Sequence, residues 1–550
     1  MDQARFIIAV ALSFLVFLAW DYFYNDEKPA TKVEQTAVGQ PAVKTETPES
    51  AKDIKLQQKP SYVTPLVKAS ETSRVIKINT PFYSLNINEK GAAITSFVLS
   101  NYRETINADS PNKELIPKEV ETGTIRSGFA GNSVPGIENA LFVSDADSET
   151  VALKEGNKEI SFYWKSPQGV IIEKKYNLSA DTYLIGLTVK IINQSPESIK
   201  DKLFVSLNSF YTENSGSQSF EGPSALINNS LEQINLKDIE EKNTYSGVFK
   251  WIAVQDRYFM AAIIPKISLE TDMRLSLKDK GYLEVRYLNP EKEIRPGTQE
   301  QVEFNIFFGP KSMNLLGSLG YDLNKSINFG WFDFLAKPTL YFMNFIYGFI
   351  PNYGVAIILL TVIIKLLFWP LGSKSYKSMN EMKKIQPLLA GIKEKYGNDK
   401  KRMNEEVMGL YKTYKINPLG GCLPMVAQIP VFFALYRMLY ETIELRHAPF
   451  MFWIKDLSAP DRLFSFAFSI PFMEPPYGIP VLTIIMGATM FIQQKMTPAV
   501  GDPTQAKMMM ILPFVFTVIF VNFSAGLVLY WLLNNILSIL QQYIISRKTA

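Results

Sequence analysis

The sequence predicts a multi-domain membrane protein, with an α-helical membrane core of six spans, five of them forming the core proper, and a large all-β sandwich domain outside the bilayer. Three observations lead there. Alternating hydrophobicity fills residues 69–320, charge-poor runs of membrane length recur after residue 350, and one of those runs carries a lysine, Lys365. Composition narrows the class further. A net charge of +4 is too small to argue for direct nucleic-acid recognition. One cysteine, Cys422, excludes an intrachain disulfide, and one histidine, His447, leaves little room for metal or histidine chemistry, so no cofactor is expected.

The chain opens with Phe6 to Trp20, fifteen uncharged residues followed by Tyr22, Phe23 and Tyr24, which suit the headgroup level. A cleaved signal peptide would need small residues of the A-x-A kind after the apolar stretch. Trp20, Asp21 and Tyr22 stand there instead, so residues 1–25 read as a retained anchor. Residues 26–68 are rich in Lys, Glu, Thr, Pro and Gln, bury too little to offset their ordering entropy, and read as a flexible linker.

Residues 69–320 carry period-2 patterning, as in SRVIKINTPFYSLNINEKGAAITSFVLS and EQVEFNIFFGP, with Gly, Pro and Asn breaks. The length suits one large β-sandwich. It contains no histidine, cysteine, phosphate loop or nucleophile motif, and its carboxylates form no recognisable pair. Residues 321–350 follow. Phe329 to Ile350 mixes aromatics with Asp333 and Lys337 and reads as a helix in the outer interface, with a buried bundle helix as the alternative.

Five further spans are expected at 351–373, 416–440, 475–496, 508–523 and 526–546. Met508 to Ser546 is thirty-nine residues without a charge, so it must be a hairpin of two spans, broken near Asn522–Gly526. Loop charge sets the orientation. Residues 372–415 hold eleven Lys or Arg against five Asp or Glu, while 441–474 holds three basic residues. The positive-inside rule puts the first loop and the short 497–507 loop in the cytoplasm and the second outside. Six alternating spans then leave both termini cytoplasmic and the β domain outside, which for a cell with this layout is the periplasm.

The 374–415 loop is itself an αα-hairpin. Met379, Met382, Ile385, Leu389, Ile392 and Tyr396 recur at steps of three or four, and Gly397-Asn398-Asp399 separates a C-cap from an N-cap. Met379 and Met382, with Lys383 and Lys384 beside them, offer a Met-bearing face suited to varied apolar clients. Packing of the two helices on each other explains the same stripe, and anionic lipid explains the basic charge.

Lys365 lies roughly 18 Å in from Tyr353, where an ionisable group costs at least ~2.5 kcal/mol unless it meets water or a partner. It either snorkels to the inner surface or marks a functional site. Thr361 sits one turn earlier, Gln428 comes from the next span, and Trp531, Asn534, Ser538 and Gln541 form one stripe on the last, widened by Asn535 and Gln542. Singly, such residues are interhelical glue. Together they imply a hydrated groove, and the absence of Asp or Glu from the last five spans argues against a proton relay. An unpaired cation in an inner-leaflet groove attracts acidic or polar segments from the cytoplasm and shortens the apolar distance they cross.

NPLGGCLPMVAQIPVFFALYRML (Asn417 to Leu439), ELRHAPFMFWIKDLSAPD (Glu444 to Asp461), FIQQKMTP and SAGLVLYWLLNN closely resemble the membrane-protein insertases of the YidC/Oxa/Alb family, Gram-negative type. The resemblance covers the whole layout. It implies a five-helix insertase core with a groove open to cytoplasm and lipid, a periplasmic β-supersandwich like that of galactose mutarotase, and work alone or with the Sec translocon. Expected partners are nascent membrane proteins, the Sec translocon, the ribosome and membrane lipids. Lys365 takes the place of the family's usual arginine, keeping the charge but not the bidentate fork. Thr361 and Trp531 match substrate-contacting positions and Gln428 a groove glutamine. The chain stops two residues after Lys548, without the long basic tail of some relatives, so the resemblance leaves ribosome contact to the hairpin and its Met379, Met382, Lys383 and Lys384. A transporter is the alternative, disfavoured by the lack of a duplicated half and a coupling carboxylate. A periplasmic carbohydrate protein is a third reading, resting on fold likeness alone.

Overall fold

The computed structural model describes residues 73–211, 219–278, 281–397, 399–414, 423–497 and 503–549. The expected anchor and linker, and residues 416–422 of the third span, lie outside the described residues.

Strands run from Val75 to Pro310. A five-stranded sheet has the order Asn112–Glu114, Ala93–Arg103, Tyr83–Asn88, Val75–Asn79, Thr150–Ala152. A thirteen-stranded sheet has among its antiparallel neighbours Phe259–Pro265, Gln299–Pro310, Leu184–Asn193, Val170–Ser179 and Asn157–Lys165. Tyr83–Asn88 and Leu184–Asn193 alternate between buried and partly exposed residues along their whole length, which is the origin of their period-2 sequence. Phe259–Pro265 is buried at every residue and reads accordingly as an unbroken apolar run. The two sheets meet through Phe97, which stacks on Tyr83 at 4.7 Å and on Phe308 of the opposite sheet at 4.8 Å.

Helix α1 (Met313–Leu319) leads away from the sandwich to α2 (Asp333–Phe349). One face of α2 buries Ala336, Leu340 and Met343, and the other exposes Phe334, Phe345 and Phe349. Both faces are apolar, so the exposed one suits a lipid boundary better than water. Asn352 caps α3 (Tyr353–Leu367), its side chain accepting from Val355 N at 3.1 Å. The helix expected to run to residue 373 ends at Leu367. The chain bends by 63° between α3 and α4 (Trp369–Tyr396), because Pro370, which lacks an N–H, fits the first turn of a new helix and not the continuation of an old one.

α4 and α5 (Lys400–Thr413) form the expected hairpin, held by Met382 and Ile385 against Leu389, Leu410 and Tyr411. Met382 is 2% exposed, so it belongs to the hairpin's internal packing and not to a free client-facing side. Met379 is half-buried, and Lys383 and Lys384 are exposed.

α6 (Leu423–Glu441) is followed by a connection that carries its own β-hairpin, Leu463–Phe466 paired with Tyr477–Ile479. The helix expected from residue 475 therefore begins, as α7, only at Val481 (Val481–Met496). α8 (Pro503–Phe520) and α9 (Ala525–Thr549) break over 521–524. Among the described residues, Ala525–Arg547 is alone long and apolar enough to cross a membrane, and α3 with α4 passes only as a bent pair.

The sandwich is tied to the helices at the C-terminal end of α6. Arg257 Nε donates to Tyr440 O at 2.8 Å, and its guanidinium lies 3.6 Å from the centre of the Tyr440 ring. Arg446, just past α6, donates to Arg103 O at 2.6 Å and Glu104 O at 3.0 Å.

Candidate functional site

Lys365 lies in the last turn of α3, where the negative end of the helix dipole favours a cation. Its ammonium donates to Ser538 Oγ at 2.6 Å and to Asn534 Oδ1 at 3.5 Å, both on α9. Gln428 of α6 donates through Nε2 to the same Asn534 oxygen at 3.1 Å. Three helices thus converge on one amide oxygen. Ser538 is fixed in turn by donating to Asn534 O at 2.7 Å.

Among the described residues no carboxylate lies within ion-pair distance of Lys365. Its charge is met by neutral dipoles only, and one of three ammonium protons has no acceptor among them. Removing a charge from water without a counter-ion is strongly unfavourable, so Lys365 keeps its charge here only where water or an acidic group reaches it. Lys365 is half-buried, which leaves it reachable.

The other residues singled out in the sequence divide. Thr361 is 1% exposed and donates to Ile357 O at 2.6 Å, one turn back on its own helix, so its hydroxyl is already satisfied. Trp531, half-buried, sits one turn from Asn534 in an aromatic cluster, edge-on to Phe432 at 4.6 Å and 5.0 Å from Phe520. Neither touches the ammonium cluster; they adjoin it along α3 and α9. Asn535 donates to Thr489 Oγ1 at 3.4 Å and Gln542 to Met496 O at 2.9 Å, so both join α9 to α7. Gln541 donates to Trp369 O at 3.0 Å, satisfying a carbonyl at the α3–α4 bend. Gly372 makes that approach possible, since a Cβ there would lie 2.9 Å from the Gln541 amide nitrogen. These three glutamine and asparagine residues are interhelical fasteners.

Two tyrosines complete the cluster. Tyr376 of α4 hydrogen-bonds Ser538, and Tyr530 of α9 hydrogen-bonds Gln428. Tyr376 reaches Ser538 only because the chain bends at Phe368, and no periodicity in the sequence announces that. No group of His, Cys, Asp and Glu suited to a metal occurs among the described residues.

Comparison with known proteins bears on both halves of this architecture. Residues 75–342 match the model of the YidC periplasmic domain, and residues 345–550 that of the 60Kd inner membrane protein family. The chain is 40% identical to the membrane protein insertase YidC of Syntrophobacter fumaroxidans, over 99% of this chain and 100% of that one. The chain belongs to the YidC family. The YidC insertase of Pelobacter propionicus is likewise 40% identical, over 99% of both chains, and that of Geobacter sulfurreducens 41% identical over 86% of both. A solved structure of a putative aldose 1-epimerase from Escherichia coli aligns with 44% of this chain and 100% of its own at 8% identity and a TM-score of 0.31, too distant to bear on function. The periplasmic-domain match thus precedes the inner-membrane-protein match along the chain, and the Lys365 cluster lies in the latter.

Proposed function

We propose that the chain is a membrane protein insertase and chaperone of the bacterial inner membrane. It moves the polar flanks of nascent membrane proteins through a hydrated inner-leaflet groove and releases their apolar helices into lipid. The observation that carries this reading is Lys365, a cation held by Ser538 and Asn534 and, among the described residues, by no carboxylate. An acidic or polar client segment would supply the missing acceptor, and leaving would restore the cluster unchanged.

Helix length supports the same reading. α3 has 15 residues and α7 has 16. At 1.5 Å per residue they reach only about 22–24 Å, short of the ~30 Å hydrocarbon core. Local thinning of the bilayer, or water reaching in beside Lys365, makes up the difference, and either shortens the apolar path for a client.

Under this proposal there are six spans with both termini cytoplasmic and the sandwich in the periplasm. Trp531 lines the client's route beside Lys365, Gln428 and Asn534, with Ser538 holding the ammonium from behind, while Thr361, buried and bonded to its own helix, supports that wall without meeting the client. Met379, Lys383 and Lys384 of the hairpin meet the ribosome or the emerging client, with the Sec translocon and membrane lipids as further partners. The test is Lys365→Leu. Insertion of clients with acidic translocated tails is expected to slow by about tenfold, the ~1.5 kcal/mol of one lost charged hydrogen bond, while purely apolar clients insert normally. Equal slowing of both kinds would contradict electrostatic handling in the groove.

A further inference from the structure

The connection between α6 and α7 has its chemistry turned inside out. Phe452 is 88% exposed, Phe472 81%, Phe464 68% and Phe468 65%. Asp461, Arg462 and the loop backbone instead turn to the protein, while Lys455 and Glu474 remain exposed. Asp461, 3% exposed, accepts from Trp453 Nε1 at 2.5 Å and from the backbone of Leu482 at the start of α7. Arg462 donates to Val521 O at 2.7 Å and to Pro476 O at 2.8 Å. Asn522, at the α8–α9 break, donates to Phe472 O at 3.0 Å and accepts from Glu474 N at 2.9 Å. A loop bathed in water keeps its aromatics in and its charges out. This one satisfies its hydrogen bonds inwardly, as backbone and charge must where lipid is the solvent.

Backbone conformation reinforces the point. Phe452, Phe464 and Phe472 have φ of 57°, 60° and 63°, in the left-handed region that bulky residues rarely adopt. Three of the four outward-pointing rings are therefore held by strained residues, and such strain persists only where the surroundings impose it.

We propose that this connection docks into the outer leaflet of the bilayer through Phe452, Phe464, Phe468 and Phe472, with lipid as its occupant. Lipid is favoured over a protein partner by continuity along the chain. Exposed Ile479 in the hairpin is followed directly by exposed Ile484 and Ile485 on α7, a helix of the membrane region. Phenylalanine rings, which have no polar end to keep wet, bury just below the headgroups as on the apolar face of an interfacial helix. The docked hairpin, pinned to α7 by Asp461 and to the α8–α9 turn by Arg462 and Asn522, holds the outer ends of these helices at fixed depth. The inference rests on α7 spanning the bilayer as proposed above.

The test uses the full chain with Cys422→Ser, reconstituted in phospholipid vesicles. Nitroxide labels are placed singly at Phe472→Cys or Phe468→Cys, with Ile485→Cys as the lipid-facing reference and Lys200→Cys on the sandwich as the aqueous one. Labels at 468 and 472 are expected to lose access to a water-soluble nickel complex and gain collisions with oxygen, as at 485. Access to nickel like that at 200 would overturn the docking. So would shielding from both reagents, which would mean a protein covers the rings. A water-like label at 485 would instead overturn the spanning of α7, and the docking with it. Having two loop positions keeps an answer available if one variant fails to fold.

Discussion

The sandwich and the membrane region each enclose a lysine without an ion pair, and the two are solved in opposite ways. Lys174, on Val170–Ser179, is completely buried, donates to Gly91 O at 2.7 Å and lies 5.3 Å from the centre of the Phe142 ring. Desolvation, with Arg126 adding to it, pulls its ammonium down from 10.5 to about 7. Its bond bridges the two sheets, beside Tyr176 donating to Ala92 O at 2.7 Å. Lys365 is only half-buried, and its partners are side-chain oxygens of Asn534 and Ser538 that can yield to a competitor. A closed site with a backbone acceptor makes lysine a fastener, whereas an open site with a spare donor makes it a contact.

The contrast can be broken first at the sandwich core. Phe97→Ala should destabilise the sandwich by about 3–5 kcal/mol, seen as loss of protease resistance of residues 75–310 in the full chain. Insertion below the new transition should persist, since the Lys365 cluster shares no contact with Phe97.

Lys174 gives a smaller effect with a defined sign. Its folded value lies below the unfolded one, so between about pH 7 and 10.5 the unfolded chain binds more protons, and stability rises with pH. From pH 7 to pH 9 the gain is about 2 kcal/mol, readable as slowed hydrogen exchange in Val170–Ser179. Lys174→Met should abolish that slope, and an unchanged slope would assign it to another group.

Smallest is Gly372→Ala. Displacing the Gln541 amide from Trp369 O should cost about 1 kcal/mol and loosen the α3–α4 bend, measured as increased exchange at Trp369–Ser373 without loss of the sandwich.

Much of this was legible in the sequence, for identifiable reasons. Tyr83–Asn88 announced its strand because one face is buried and the other is not. Lys365, Asn534 and Ser538 were legible as a set because an ionisable group in an apolar run, and polar residues at steps of three and four on another, leave few ways to pack. Neighbouring residues misled. Along the sequence Asn535 and Gln542 widen the α9 stripe, but adjacent helix positions point about 100° apart, so they turn to α7 while Asn534 and Gln541 face α6 and the α3–α4 bend. Met382 shows the same limit, since a stripe at helical spacing does not say whether its partner is the other arm of the hairpin or a client. The bend at Phe368, the Tyr376 contact and the 463–479 hairpin depend on tertiary packing and left no period to read.

The central claim, that solvent reaches the lysine in the membrane, is tested most directly with cysteines at Lys365 and Asn534 in a Cys422→Ser chain, exposed to a membrane-impermeant thiol reagent in inverted vesicles. The account predicts rapid modification from the cytoplasmic face at both positions and, at Asn534→Cys where Lys365 is retained, slowing when a stalled client with an acidic tail is present. Thiols that stay unmodified until detergent opens the membrane would contradict it.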